Sequence, residues 1–519
     1  MNSRYYFLGL SLLALVSCRK NIETVPQNNL SSATYYSNLP ELKSALTGVY
    51  NGMQAPLTTE WRLTELRTDN SKQGVTNSSS SDNLDLNKLD MFSVPPTHDN
   101  VLQYWLATYA NIRNANLLLQ KIGVKYDPAA GATSFTGVSL PVAEADLKQV
   151  GGEALFIRAY HYFNLVRLYG GVFLVHEPIG PNAAFSIGRS SVADMYRFIE
   201  ADLKTAIASM STARFGQQAP ADIGRATSWA AKGMLAKVYL TQGRKAEAIT
   251  LLQDVIANSG YGLAPTYAEI FAPGTEMGKE ILFAVRFKSG GLGLGSPFAN
   301  DFAALNGGIV SGQNRGWNHP TYDIDSVAGK VDTATNGTAR KVTLIAAYGA
   351  GPNPDLYVKK YISPVTVTGD AENDWPVLRF ADILLMLAEA QGNTPASVGL
   401  ISQVHQRAGN GAINPAAITS VADFEKLLAD ERRVEFAFEN QRWFDLVRYN
   451  TTFSTITAEA VLKAHFAIEY SRHYAQYQNP TPPLAELQGA VTRDHLLLPI
   501  PQREIDTNTQ MPIPQNPGY

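Results

Sequence analysis

The sequence predicts a mostly α-helical protein, on three observations. Several long stretches space their apolar residues three and four apart, the period of one helix face. One segment, and more loosely a second, carries a small-and-large pattern that packs helices in pairs. The stretch 286–376 breaks this regularity with glycine and turn residues, giving an irregular, loop-rich part set on a helical scaffold. The elements are justified below in chain order.

The chain opens MNSRYYFLGLSLLALVSCRK. Arg4 gives a positive start, and Tyr5 to Val16 is nearly unbroken apolar sequence. This run is too short to span a bilayer, which takes about 20 residues. It has the parts of a secretory leader, so residues 1–17 are expected to be a signal peptide. Its exit, Leu15-Val16-Ser17-Cys18, resembles the lipobox of bacterial lipoproteins. Cys18 is the one cysteine in 519 residues. It can form no internal disulfide and is expected to carry lipid; stable anchoring takes about two acyl chains.

Tyr35 to Met53 reads as a helix with Leu39, Leu42, Leu46, Val49 and Tyr50 on one face. Thr68 to Asp90 is rich in Ser, Asn and Asp and is expected to be an exposed loop. Val101 to Ile122 puts Trp105, Tyr109, Ile112, Ala115, Leu119 and Ile122 on one helical stripe. Ala154 to Val175 is a helix stopped by Gly170-Gly171, followed by a β-like run, Val172 to Val175. Ser191 to Met210 is a helix capped by Ser190 or Ser191.

Thr227 to Ser259 places Ala236, Tyr239, Gly243, Ala248 and Leu252 in the core grammar of a tetratricopeptide helix pair. A looser copy spans Arg379 to Arg407, with Gly392 at the turn and Ala396 and Leu400 as its small-to-large step. Two such pairs suit helix pairs embedded in a larger irregular fold better than a regular solenoid. The Gly-rich stretch 290–320 holds Phe298, Phe302 and Trp317, with Tyr322 just beyond, which argues against plain disorder.

Composition bounds the function. Hydrophobic content is 45%, charged content 17% and net charge −3, so a sizeable core is expected. No basic stripe points to nucleic acid. Glu431, Glu435 and Glu439 share a helix face and could hold a metal or work as acid and base. Arg432, Arg433, Arg442 and Arg448 interleave with them, among Phe436, Phe438 and Trp443. That alternation reads as a buried structural ion network. Removing Glu435 or Arg433 is therefore expected to lower stability and leave ligand affinity alone. Gly291 to Gly295 lacks the helix and acidic partner of a dinucleotide fingerprint. Pro178 breaks any metal-binding helix at His176-Glu177, and His465 and His473 stand eight apart. No catalytic residue, metal site or cofactor is expected.

Taken together, these segments resemble the SusD/RagB family, in four motifs. RAYHYFNLVRLYGGVFLV (Arg158 to Val175) is similar to a family motif, with Phe173 in place of the usual proline. WPVLRFADILLMLAEA (Trp375 to Ala390) and ERRVEFAFENQRWFDLVR (Glu431 to Arg448) match two more, the latter with Asn440 where glycine is common. The end, LLLPIPQREIDTNTQMPIPQNPGY, closes as the family closes. The resemblance covers nearly the whole chain. It implies an N-terminal region (18–225) and a C-terminal region (226–519), the latter containing the loop-rich 286–376. It implies a lipoprotein of the Bacteroidota outer membrane, held at Cys18, that binds glycan or peptide. Such proteins deliver ligand to a SusC-like TonB-dependent transporter and are not enzymes. Surface-exported lipoproteins of this group often carry acids after the cysteine. Here Arg19-Lys20 follows, so outward exposure is implied by the resemblance alone.

Binding residues in this family vary by loop and none transfers by motif. A glycan offers flat C–H faces to aromatic rings and hydroxyls to Asn, Asp, Arg and Gln. Trp105, Trp229, Trp375 and Trp443 lie in or beside helical motifs and read as core. The expected ligand residues are Trp317 first, then Tyr322, then Trp61, with Asn314, Arg315, Asp69 and Asn70 beside them. The alternatives are a peptide ligand, or an anchored glycan hydrolase pairing Asp69 with a carboxylate of the Asp301–Asp325 loops.

Overall fold

A computed structural model describes residues 36–519 except 215–216, 335–338, 350–353, 479 and 509. The leader and Cys18 lie outside the described residues. In chain order come α1 (Leu39–Asn51), α2 (Gln54–Thr64), β1 (Ser71–Lys72), α3 (Ser81–Asp90) and α4 (Asp99–Lys121). A hairpin of β2 (Val124–Asp127) and β3 (Ala132–Phe135) leads to α5 (Glu144–Tyr169), α6 (Val192–Ser209), α7 (Ser228–Thr241) and α8 (Lys245–Asn258). Then follow β4 (Ile281–Val285), β5 (His319–Pro320), α9 (Tyr322–Val331) and a hairpin of β6 (Ile345–Tyr348) and β7 (Asp355–Val358). The chain closes through β8 (Trp375–Arg379), α10 (Phe380–Gln391), α11 (Pro395–Arg407), α12 (Val421–Glu435), α13 (Arg442–Thr452) and α14 (Ala458–Glu469).

The protein is mostly helical, as the sequence predicts. Helices α4 to α8 pack each on the next, α8 packs on α10, and α10 on α11. Starts follow local chemistry. Ser191 caps α6 by accepting from the Asp194 N–H, Thr227 caps α7, and Ser420 with Asp423 forms a capping box on α12. Helix α5 is apolar nearly all round and buried from Val150 to Val166, which makes it a central helix. Its end uses two glycines for two reasons. Gly170 takes φ 72° to stop the helix. Gly171 lies against the Ser190 carbonyl, where a Cβ would stand 2.3 Å from that oxygen. After them Phe173 forms only an isolated bridge with Arg189, so the expected β-run is not a strand among the described residues.

The first helix pair is α7 and α8, turning at Gly243, with Ala236, Tyr239, Ala248 and Leu252 all buried. The second is α10 and α11, turning at Gly392. Here Ala396 is exposed and Leu400 half-buried, while Ser397 and Ile401 are buried. The small-to-large step is thus one residue later than the sequence pattern suggests. Pro395 begins α11 and Thr394 caps it, and that start fixes which face turns inward.

The stretch Thr68 to Asp90 is a half-buried to exposed loop only in its middle, from Gly74 to Ser80. Thr68 to Gln73 is buried throughout and Ser81 to Asp90 is α3. Asp69 and Asn70 are inside because Arg442 and Arg433 supply their partners, and Lys72 because Glu469 does. The loop-rich segment likewise holds α9, β5 and the β6–β7 hairpin. The sheets are two-stranded and antiparallel, with β1 pairing β5 and β4 pairing β8. Asn440 stands at φ 59°, a left-handed position that asparagine tolerates better than most residues. No helix among the described residues is long and apolar enough to cross a membrane.

Candidate ligand-binding site

The segment Trp317 to Tyr322 is held as a short rail. The Trp317 N–H donates to the Asp301 carbonyl at 2.9 Å. His319 and Pro320 pair with Lys72 and Ser71. The Thr321 N–H donates to the Asn70 carbonyl at 2.9 Å, and its hydroxyl donates to the Asp69 carbonyl at 2.8 Å. The same Oγ1 accepts from the Ile324 N–H and caps α9. The rail carries Trp317 near one end and Tyr322 at the other, both half-buried.

The guanidiniums of Arg62 and Arg315 lie 4.9 and 4.6 Å from the Trp317 ring centre. Arg315 pairs with Asp301 at 2.5 Å, and Arg62 approaches the same carboxylate at 4.0 Å. Asp301 is buried. Burial pushes its carboxyl up, and the two arginines partly offset that. Their side chains keep 23% and 25% exposure. The two guanidiniums lie over the ring; being partly exposed, they can donate to a sugar's oxygens, while the uncovered part of the ring can meet its C–H surface. At the other end, Lys72 Nζ stands 4.3 Å and the Arg472 guanidinium 4.8 Å from the Tyr322 ring centre.

The remaining expected residues sit behind this face. Trp61 is fully buried, edge-on to Phe302 at 4.9 Å. Asn314 is buried and staples its own loop, donating to the Val310 and Gly312 carbonyls and accepting from the Ile309 and Val310 N–H groups. Asp69 pairs with Arg442 at 2.7 Å and Arg433 at 3.1 Å. Burial works to raise its carboxyl, but Arg433 and Arg442 overcome that and hold it well below the usual range. Asn70 Oδ1 accepts from Arg433 Nε at 2.8 Å. In this conformation all four are buried and offer no surface to a ligand, and the backbone of Asp69 and Asn70 holds the rail. Asp69 and Asp301 are each tied to arginines, and Asp323 pairs with Arg433 at 2.7 Å. The carboxylates named for a hydrolase are therefore already engaged. The other four tryptophans expected in the core are buried.

Arg62 and Lys72 escaped the sequence reading. Arg62 had a signal: it follows Trp61 on a helix, so an inward Trp61 sets Arg62 about 100° round at the rim. Lys72 had none, because its place depends on the pairing of β1 with β5.

The Glu431–Glu439 cluster is the ion network the sequence suggests. Buried Arg379 reaches Glu280 at 2.6 Å, Glu435 at 2.8 Å and Glu439 at 2.8 Å. Arg340 reaches Asp332 at 2.7 Å, Glu431 at 2.6 Å and Glu435 at 3.0 Å. Arg407 also pairs with Glu435. No group of three or more His, Cys, Asp or Glu among the described residues could hold a metal ion.

Comparisons with known proteins agree on one family. A model described as "SusD family" matches residues 298–519. One described as "Starch-binding associating with outer membrane" matches residues 27–240. The chain is 24% identical to SusD-like protein P2 of Formosa agariphila, over 98% of both chains. It is 24% identical to a SusD-like protein of Bacteroides ovatus, over 86% of this chain and 83% of that one. Among solved structures, a laminarin binding SusD-like protein superposes with a TM-score of 0.72 at 24% identity, covering 93% of this chain and 100% of its own. Surface glycan-binding protein A from Bacteroides fluxus gives a TM-score of 0.72 at 20% identity, covering 92% of this chain and 99% of its own.

Proposed function

This chain belongs to the SusD family, and from that premise we propose that it captures a glycan on the Trp317–Tyr322 face and passes it to a SusC-like TonB-dependent transporter. Cys18 anchors it to the outer membrane by lipid, with the rail facing outward. The observation that carries the reading is the half-buried Trp317 ring with the partly exposed guanidiniums of Arg62 and Arg315 over it. Ring and guanidiniums together suit a ligand with apolar faces and many oxygens. The similarity to glycan-binding proteins supports the ligand class, and the lipobox supports the anchor.

The test is calorimetric titration with laminarin and starch oligosaccharides, beside melting curves. Trp317→Ala should weaken the best ligand about tenfold or more, as loss of a stacking ring costs about 1–3 kcal/mol on nucleic-acid bases. Unchanged affinity in a folded variant places the site elsewhere. Failure of every oligosaccharide to bind the native protein removes the glycan reading. Co-purification of a TonB-dependent transporter with the anchored chain tests the delivery step.

A further inference from the structure

A second cleft, of about 260 Å³, lies between α4, the segment after α5 and the C-terminal turn of helix at Gln502–Thr507. Its aromatic wall is Trp105, Tyr109, Phe173 and Phe185. Trp105 lies 5.0 Å from Tyr109 and 5.5 Å from Phe173, centre to centre. Trp105 is nearly closed off, whereas Phe185 at the rim is 38% exposed. The Tyr109 hydroxyl donates to the Phe173 carbonyl at 2.8 Å and fixes that wall. Glu504 lines the same cleft.

Two facts bear on this cleft. Four tryptophans, Trp61, Trp229, Trp317 and Trp443, each have a lysine or arginine over the ring, whereas Trp375 stacks on Tyr361 instead. Among the described residues, no lysine or arginine stands over Trp105, Tyr109, Phe173 or Phe185. The second fact is Glu504. Burial raises its carboxyl, neighbouring Arg503 offsets this only in part, and no described lysine or arginine forms an ion pair with it. A carboxylate in an aromatic cleft without a cation is an incomplete site. Rings attract a cation through their quadrupole, and a partly desolvated carboxylate strengthens that attraction.

We propose that this cleft binds the side chain of one arginine or lysine of a peptide, with the charge on Glu504 and the aliphatic stem against Phe185 and Tyr109. The size fits one side chain, since the volume is below the roughly 300–1,000 Å³ of small-molecule sites. The proposal does not rest on the glycan reading and stands or falls separately.

The test is ligand-observed NMR titration of the whole protein with Nα-acetyl-arginine amide and its neutral counterpart, Nα-acetyl-norleucine amide. Arginine amide should bind at least about fivefold more tightly than norleucine amide. Glu504→Gln should remove that preference, and Phe185→Ala should weaken both ligands, with melting temperatures unchanged. Equal binding of the two amides overturns the proposal, as does a preference that survives Glu504→Gln. So does the absence of arginine binding up to about 20 mM. An oligosaccharide that loses affinity in Phe185→Ala but not in Glu504→Gln would make the cleft a sugar site instead.

Discussion

Glu65 ends α2 with one oxygen accepting from the Asn440 N–H at 2.5 Å and the other without a hydrogen-bond partner among the described residues. Burial raises its carboxyl to about 8. The sign follows from linkage. The unfolded chain releases this proton near its ordinary value of 4.5, whereas the folded chain keeps it to about 8. Stability associated with Glu65 is therefore full below that ordinary value and is lost as pH rises toward 8. Glu65→Gln keeps the acceptor for Asn440 and removes the ionisation. Its melting temperature should exceed the native one by about 2 °C or more at pH 8.5, and the difference should shrink toward pH 4. An identical offset at both pH values would mean that Glu65 does not titrate as a buried acid.

At the scale of elements, α12 joins two parts of the fold that the sequence kept separate. Its Glu435 is the common partner of Arg340, Arg379 and Arg407. Glu435→Gln leaves those buried guanidiniums short of an anion, at a cost of about 3–5 kcal/mol. It should lower the melting temperature clearly while the folded fraction keeps its glycan affinity. Arg433 also reaches the candidate site, so for it we predict more than a loss of stability. It holds the Asp69 carbonyl, Asn70 Oδ1 and Asp323 beside Tyr322. Arg433→Met should lower stability and also weaken glycan binding measured by the same calorimetry. Normal affinity in that variant would uncouple α12 from the rail.

For the whole molecule, two groups of buried ionisable residues act in the same direction in acid. Asp382 and Glu435 lie well below the usual carboxylate range, because nearby lysine and arginine charges overcome burial; Asp69 behaves alike. Their stabilisation is present above the ordinary carboxylate value near pH 4 and is lost as pH falls. His161 and His319 are kept neutral by burial, down to about 3. The unfolded chain gains those protons near pH 6.5, so folding weakens as pH falls from there. Raised carboxyls such as Glu65 gain stability down to their ordinary value, so a melting series should fall clearly only below about pH 4; a flat profile from 4 to 3 would contradict the buried network. The anchor is tested on the same intact protein. Cys18→Ala should abolish fatty-acid labelling and release the chain from the membrane fraction. Labelling that persists would put the lipid elsewhere.

The helices were legible in the sequence because their causes are local. A cap such as Ser191, a stop such as Gly170 and a stripe such as Trp105 to Leu119 each act within a few residues. The ion network was legible in kind, since arginines interleaved with glutamates in an apolar helix must pair if buried. Its partners were not, because Arg340 and Lys360 arrive from outside the motif. The candidate residues divided along the same line. Trp317, Arg315 and Tyr322 stand together on one segment. The burial of Asp69 and Asn70 was decided by Arg433 and Arg442, more than 360 residues away. A polar side chain looks exposed in sequence until a distant charge neutralises it, and only tertiary structure brings that charge near.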